Sequence, residues 1–334
     1  MALRAHEENS MLSLIRILKI AAAVVAVAAC LVQSAAAYPT RPVRLVVPFA
    51  PGGTNDAIAR IIAEKLAVRL GQPVVVDNRG GANMVVGSEI VARANADGHT
   101  ILIVGAGYAV NPSLRKKLPY DSLRDFAPIG LVATGPYVMV VHPSVPAKTV
   151  GEFVSWAKAR PGQVNYASTG TGSPPHLAAE LFMAMAGIDM QHIPYKGGGA
   201  VLPDLLAGRV SLFFGSVSTL KPHVQAGRLR GIAVTTTKRS PAMPELPTFI
   251  ESGVKGYEVT GWYGLLAPGK TSPAIVARLN RELQQVLNDA DARKRLAQRG
   301  LESAPGSAAD FSALIRSEIP KWAKVMRAAG VKPQ

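Results

Sequence analysis

Twice in its 334 residues the chain runs from a short β-branched stretch, through a glycine loop, into residues with helical apolar spacing. The first passage is VRLVVPFAPGGTNDAIARIIAEKL and the second is NYASTGTGSPPHLAAELF. Stretches as apolar as VRLVVPF are buried on both faces, which calls for helices above and below a mostly parallel sheet. Alternation continues on both sides of each passage. Strands are expected at 43–49, 74–76 and 100–104, with helices at 57–70 and near 87–94; Ile58, Ile61, Ile62, Leu66 and Leu70 mark the buried face of the first helix. A strand at 137–141 leads out through HPSVPAKT to a helix at 150–158. From Val164 the pattern restarts, with a helix at 177–186, strands at 191–193, 210–214 and 231–235, and a helix after YKGGGA. An aromatic-rich strand at 257–266 carries the chain back, and helices at 273–290 and 308–329 close it. The expected fold class is therefore α/β: two doubly wound domains joined by a hinge, with a ligand cleft between them. Domain 1 is read as 38–140 plus 263–334, and domain 2 as 141–262. Ligands in such sheets bind beyond the carboxyl ends of the strands and at domain interfaces.

The first 37 residues read as a signal peptide. Arg16 and Lys19 precede an apolar run from Ile20 to Val32, and Ala35-Ala36-Ala37 forms an A-x-A site before Tyr38. Val27-Ala28-Ala29-Cys30 has the look of a lipobox, but the A-x-A site lies beyond it, which favours a soluble periplasmic protein cleaved near Ala37 over a lipid anchor at Cys30. Cys30 is the only cysteine, so cleavage after Ala37 leaves neither disulfides nor a thiolate nucleophile. The net charge of +15 could suit nucleic acid, but the charges are scattered and lack interleaved aromatics. A solvated basic surface is the better reading, with no nucleic-acid partner.

Both glycine loops place backbone N–H groups at a helix N-terminus, a geometry that suits an anion. Neither carries G-x-x-x-x-G-K-[ST] or G-x-G-x-x-G, so a nucleotide site is not expected. Ser173 and His176 are close enough in sequence to suggest an exported serine hydrolase, although no G-x-S-x-G elbow surrounds either Ser173 or Ser216. Their simpler roles are an N-cap for Ser173 and local hydrogen-bond donation for His176. His99, His142, His176, His192 and His223 show no short metal-ligand spacing, so no metal and no cofactor are expected. Asp56 suits either a ligand amine or the helix start, where an anion is stabilised by about 0.3–1 kcal/mol.

Five blocks carry a resemblance: the two passages above, NPSLRKKLPYDSLRDFAPIGLV, HIPYKGGGAVLPDLLAGRV and GWYGLLAPGKTSP. Together and in this order they resemble the extracytoplasmic receptors of tripartite tricarboxylate transporters, the Bug-type family, over nearly all of 38–334. The resemblance implies a periplasmic-binding-protein fold that closes over a small carboxylate and hands it to membrane permease subunits; a monomer suffices, and no catalytic residue is implied. By motif, the implied ligand-binding positions are Gly53, Thr54, Asn55 and Asp56 in the first loop and Ser168, Thr171, Gly172 and Ser173 in the second. Tyr108, Asn111 and Ser216 complete the set, while His176 and Tyr195 are left open. Two departures bear on ligand identity. Gly80-Gly81-Ala82-Asn83 stands where the family usually has a proline and a G-A-G-G run, and Asn55 stands where a small hydroxyl residue is common. A sensor for a membrane signalling partner shares the same chemistry, and the exported hydrolase also stays open at this level.

Overall fold

The computed structural model describes residues 38–334 except 196, 197, 329, 332 and 334. The expected signal peptide and Cys30 lie outside the described residues. Ten strands form one sheet: β1 (Val43–Val47), β2 (Val74–Asn78), β3 (Thr100–Gly105), β4 (Phe126–Val141), β5 (Val164–Ser168), β6 (Met190–Pro194), β7 (Leu212–Ser216), β8 (Arg230–Val234), β9 (Thr260–Pro268) and β10 (Glu302–Ser303). The helices are α1 (Thr54–Leu70), α2 (Val85–Ala92), α3 (Asn111–Leu114), α4 (Val150–Lys158), α5 (Pro174–Ala186), α6 (Gly198–Leu206), α7 (Val217–Gln225), α8 (Pro273–Asn288), α9 (Ala290–Ala297) and α10 (Ala308–Ala328). A 3-10 turn spans Ala106–Ala109. This is the α/β fold that the alternation predicts.

Strand order is β2-β1-β3-β9-β4-β7-β5-β6, with β8 and β10 also paired to β4. β1 is parallel to β2 and β3, and β5 is parallel to β6 and β7. The two parallel sets never touch edge to edge. They are joined through β4, whose residues 126–136 pair antiparallel with β9 and whose residues 137–141 pair antiparallel with β7. Contacts nevertheless make Pro42–Gln334 one compact unit.

The first eleven residues of β4 were not expected as strand, because FAPIGLVATGP holds two prolines and two glycines. Tertiary packing explains their presence. The ladder to β9 shifts register between Pro128 and Gly130 and again between Leu131 and Ala133, and such bulges absorb residues that cannot continue a regular pairing. A Cβ at Gly130 would lie 3.0 Å from Asn280 and 3.1 Å from Leu283 of α8, so the glycine lets that helix settle onto the strand.

The helices at the C-terminus cover the sheet as amphipathic elements should. Phe311 of α10 lies directly over the backbone of Gly264 in β9, where a Cβ would collide with its ring. α10 also packs on β4, on α3 and on α5. Glu318, buried on α10, accepts from Nε1 of Trp322 at 2.7 Å and from Nε1 of Trp262 in β9 at 3.3 Å, and pairs with Lys321 at 2.9 Å. One carboxylate thus ties helix to strand through two indoles. Glu318→Gln keeps one carbonyl acceptor and loses the ion pair, so it is expected to lower stability by about 1 kcal/mol. Urea denaturation followed by tryptophan fluorescence measures this; a value no different from the parent would show that the carboxylate charge contributes nothing.

Candidate functional site

Among the helices that follow parallel strands are α1 after β1, α5 after β5 and α7 after β7. Their caps are Gly53, Ser173 and Ser216, each in extended conformation, as N-cap residues usually are. The end of β3 turns at Gly105 into the 3-10 turn.

At the first loop, Asp56 is 4% exposed and works inward. Its carboxylate accepts from Gly52 N–H at 2.9 Å, Arg60 Nε at 3.0 Å and Asn78 Nδ2 at 3.0 Å. Burial alone would raise its pKa, but these three hydrogen bonds and the Arg60 charge outweigh burial and hold it below the usual carboxylate range. Asp56 therefore braces the loop. Gly53 is exposed, and Thr54 and Asn55 are partly buried beside it. Oδ1 of Asn55 is buried with no hydrogen-bond partner. It lies near Gly105, where a Cβ would sit 3.6 Å from both Asn55 Oδ1 and the ring of Tyr263.

The second loop differs from expectation in its donors. α5 begins at Pro174 and continues with Pro175, so its first two positions carry no N–H. Gly172 N–H is also committed, donating to Nδ1 of His176 at 3.1 Å. His176 thus accepts rather than donates at this contact. What the loop retains is Ser173, 6% exposed, whose Oγ has no partner and does not cap the helix. Thr171 is half-buried next to it. Ser168 is fully buried and engaged inward: its Oγ contacts His192 Nε2 at 2.6 Å and the N–H and carbonyl of Gly170, both at 3.1 Å.

A chain of contacts connects the two loops. Beyond Gly105, Gly107 lies against Asn83 and Met84; Asn83 Nδ2 donates to Asn111 Oδ1 at 3.1 Å, and Asn111 Nδ2 donates to Asn83 O at 2.8 Å. Three residues on, Leu114 packs against the backbone of Gly172, leaving no room for a Cβ. These contacts link Asn55 of the first loop to Gly172 of the second through Gly105, Asn83, Asn111 and Leu114. Besides Asp56 and Ser168, side chains at two further predicted positions are spent inside the protein: Tyr108 is fully buried with its hydroxyl on Ser122 O at 2.8 Å, and Asn111 is held by Asn83. Oγ of Ser216 contacts Thr219 Oγ1 at 2.8 Å, and Ser216 stands opposite Tyr137 in the β4–β7 ladder. Tyr195 is tied to Asp204 through its hydroxyl at 2.8 Å.

Two residues were missed from the sequence. Tyr137 and Tyr263 lie together where the two sheet halves meet, and burial pushes the Tyr263 phenol up to about 12 and Tyr137 well above its ordinary value. Both stay neutral at physiological pH. The available signal was glycine: a Cβ at Gly261 would lie 3.0 Å from the Tyr137 hydroxyl, so TGPY and TGWYG are built around each other.

No basic side chain stands free in the two loops; Arg60 is paired with Asp56. Among the described residues no cluster of three metal-binding side chains occurs, and no helix is long and apolar enough to cross a membrane. Serine hydrolysis finds no geometry here. His176 Nδ1 is taken by Gly172, not by Ser173, and the Ser168–His192 contact is sealed by the full burial of the serine.

Comparison with known proteins identifies the family. The family model for the "tripartite tricarboxylate transporter family receptor" matches residues 58–331. A Rhodopseudomonas palustris protein, Rpa4515, solved with adipate, is 38% identical at a TM-score of 0.82, covering 89% of this chain and 100% of its own. The periplasmic binding protein BugD is 37% identical with a TM-score of 0.79 over 89% of this chain and 100% of its own. MatC from R. palustris, solved with malate, is 31% identical with a TM-score of 0.78 over 86% and 99%. These are solute-binding proteins rather than enzymes. With its glycine loops, its curled two-part sheet and a match across most of its length, the chain belongs to the tripartite tricarboxylate transporter receptor family, the Bug-type periplasmic binding proteins.

Proposed function

We propose that this protein is a periplasmic receptor that closes over a small dicarboxylate and delivers it to the permease of a tripartite transporter. In this reading 1–37 direct export, and the domains 38–140 plus 263–334 and 141–262 move about the β4 and β9 crossings. The observation that carries it is the pair of buried, unpartnered polar atoms, Asn55 Oδ1 and Ser173 Oγ, on the two loops connected through Leu114. A buried polar atom without a partner costs about 1–3 kcal/mol; the Ser173 hydroxyl recovers this by donating to a carboxylate, whereas Asn55 Oδ1, an acceptor, recovers it through a bridging water. Ser173 Oγ–H and the first N–H groups of α1 and α7 are donors suited to carboxylate oxygens, and the positive ends of two helix dipoles add to them. The adipate and malate held by two relatives support a dicarboxylate as the ligand class. Ligand bound across both domains favours the closed state and shifts the population toward it.

Thermal-shift screening of C4–C6 dicarboxylates tests the reading. A true ligand at 100 times its Kd should add about 2.7 kcal/mol of stability. For that ligand, Ser173→Ala is expected to weaken binding roughly tenfold, as loss of a hydrogen bond to a charged group does, with little change in the ligand-free melting temperature. A screen in which no carboxylate raises the melting point would overturn the dicarboxylate assignment.

A further inference from the structure

Beneath the second loop lies a group of ionisable side chains, buried except for the half-buried His192, that ligand contact does not use. It draws on three elements: Tyr166 and Ser168 from β5, His192 from β6, and His176 and Glu180 from α5. The imidazoles of His176 and His192 stack at 4.1 Å between centroids, and His192 stacks on Tyr166 at 5.0 Å. Each histidine holds one arm of the loop. His176 Nδ1 accepts the Gly172 N–H, while His192 Nε2 meets Ser168 Oγ, which is bonded to both the N–H and the carbonyl of Gly170. Glu180 Oε1 accepts from the Tyr166 hydroxyl at 2.5 Å and lies 3.4 Å from His176 Nε2.

The tautomer of His176 follows from these contacts. Gly172 offers a proton, so Nδ1 must be the bare nitrogen, and the ring proton sits on Nε2 facing Glu180. Adding a second proton at Nδ1 would set two N–H groups against each other, and the contact to Gly172 must break. His192 has no such conflict, since a protonated Nε2 could donate to Ser168 Oγ, but burial and the adjacent His176 hold its ring down to about 4, with Glu180 opposing. His176 Nε2 instead faces a Glu180 carboxylate oxygen at 3.4 Å.

We propose that His176 is a positioning residue for ligand capture: its neutral ring, stacked on His192, holds Gly172 and the loop in the ligand-ready shape, and protonation of the ring releases that loop. Capture is thereby linked to proton release and weakens as the medium acidifies. This rests on the receptor reading for its consequence, but the loop movement itself can be read without ligand.

The experiment is a titration of ligand-free protein from pH 7.5 to 4.5, following the Gly172 amide and the imidazole C–H signals by NMR. The Gly172 resonance should move in step with the His176 ring. In His176→Asn, whose Oδ1 can accept at the place of Nδ1 without titrating, it should stay fixed. Adipate affinity of both proteins is then measured at each pH, because their ratio cancels protonation of the ligand. The wild-type Kd should rise about fivefold relative to the variant between pH 7.5 and 5, the equivalent of one hydrogen bond of roughly 1 kcal/mol. A Gly172 amide that ignores the His176 titration, or a flat affinity ratio, overturns the proposal. If neither protein binds adipate at pH 7.5 the ligand assignment fails, while the amide titration still decides the brace. The wild-type titration needs no variant, so a misfolded His176→Asn leaves the test intact.

Discussion

Gly172→Ala is expected to raise the Kd for the dicarboxylate at least thirtyfold while leaving a folded protein. Two independent effects combine at this residue. Its φ is +76°, in the left-handed region where a side chain costs about 1 kcal/mol or more. The added Cβ would also drive into Leu114 Cδ1, with Cγ at 3.0 Å and Cδ2 at 3.3 Å. Leu114 is itself buried at 4% exposure on α3, so it cannot simply swing aside. The cheapest relief is to move the loop off α3, which separates Ser173 from the first glycine loop. A thirtyfold loss corresponds to about 2 kcal/mol, within the sum of the two effects. Calorimetry of the single variant measures it, and Leu114→Ala in the same chain is expected to recover part of the loss. The double variant recovers only the steric share, because the φ strain remains. Independent, additive losses in the cycle would show that the Leu114 contact is not the cause.

The second large effect is on stability. Asp56→Ala should cost about 2–4 kcal/mol, because it leaves the Gly52 N–H and the Asn78 amide without their acceptor in a part-buried site. Arg60 is 56% exposed in its side chain and returns to water, so the ion pair itself contributes little of this. The melting temperature should fall by roughly 4–8 °C at pH 7. The pH dependence has a definite sign. The folded-state pKa of Asp56 lies below its unfolded value, so the stabilisation is fully present above about pH 4 and is lost as pH falls through the folded pKa. The gap between parent and Asp56→Ala should accordingly narrow below pH 4. An equal gap at pH 7 and pH 3 would mean that packing rather than charge explains the loss.

These two positions also show how far the sequence could be read. Asp56 beside a glycine loop at a helix start left two roles open, and only the packing of Asn78, twenty-two residues away, showed the carboxylate turned inward. The prolines at 174 and 175 were visible, but with the helix expected from 177 they belonged to the loop. Because α5 begins at Pro174, they occupy the positions whose N–H groups would otherwise have faced an anion. That shift of three residues moves the donor role from backbone toward Ser173 Oγ. Tyr108 reads in sequence like a residue at a strand end facing a cleft, yet its ring stacks on Tyr120 at 6.4 Å and meets Phe126 edge-on at 5.7 Å in the core.

From the sequence alone came the alternation of strands and helices, the two glycine loops at strand ends and the order of the family blocks. Those are local properties: side-chain periodicity, β-branching and the backbone freedom of glycine are written into a few neighbouring residues. Tertiary structure alone decided that Phe126–Val141 is one strand shared by both halves, that Leu114 seats Gly172, and that Tyr137 meets Tyr263. Each of these depends on residues brought together from distant parts of the chain, where packing overrides local propensity and where a buried polar group finds its partner or is left waiting for one.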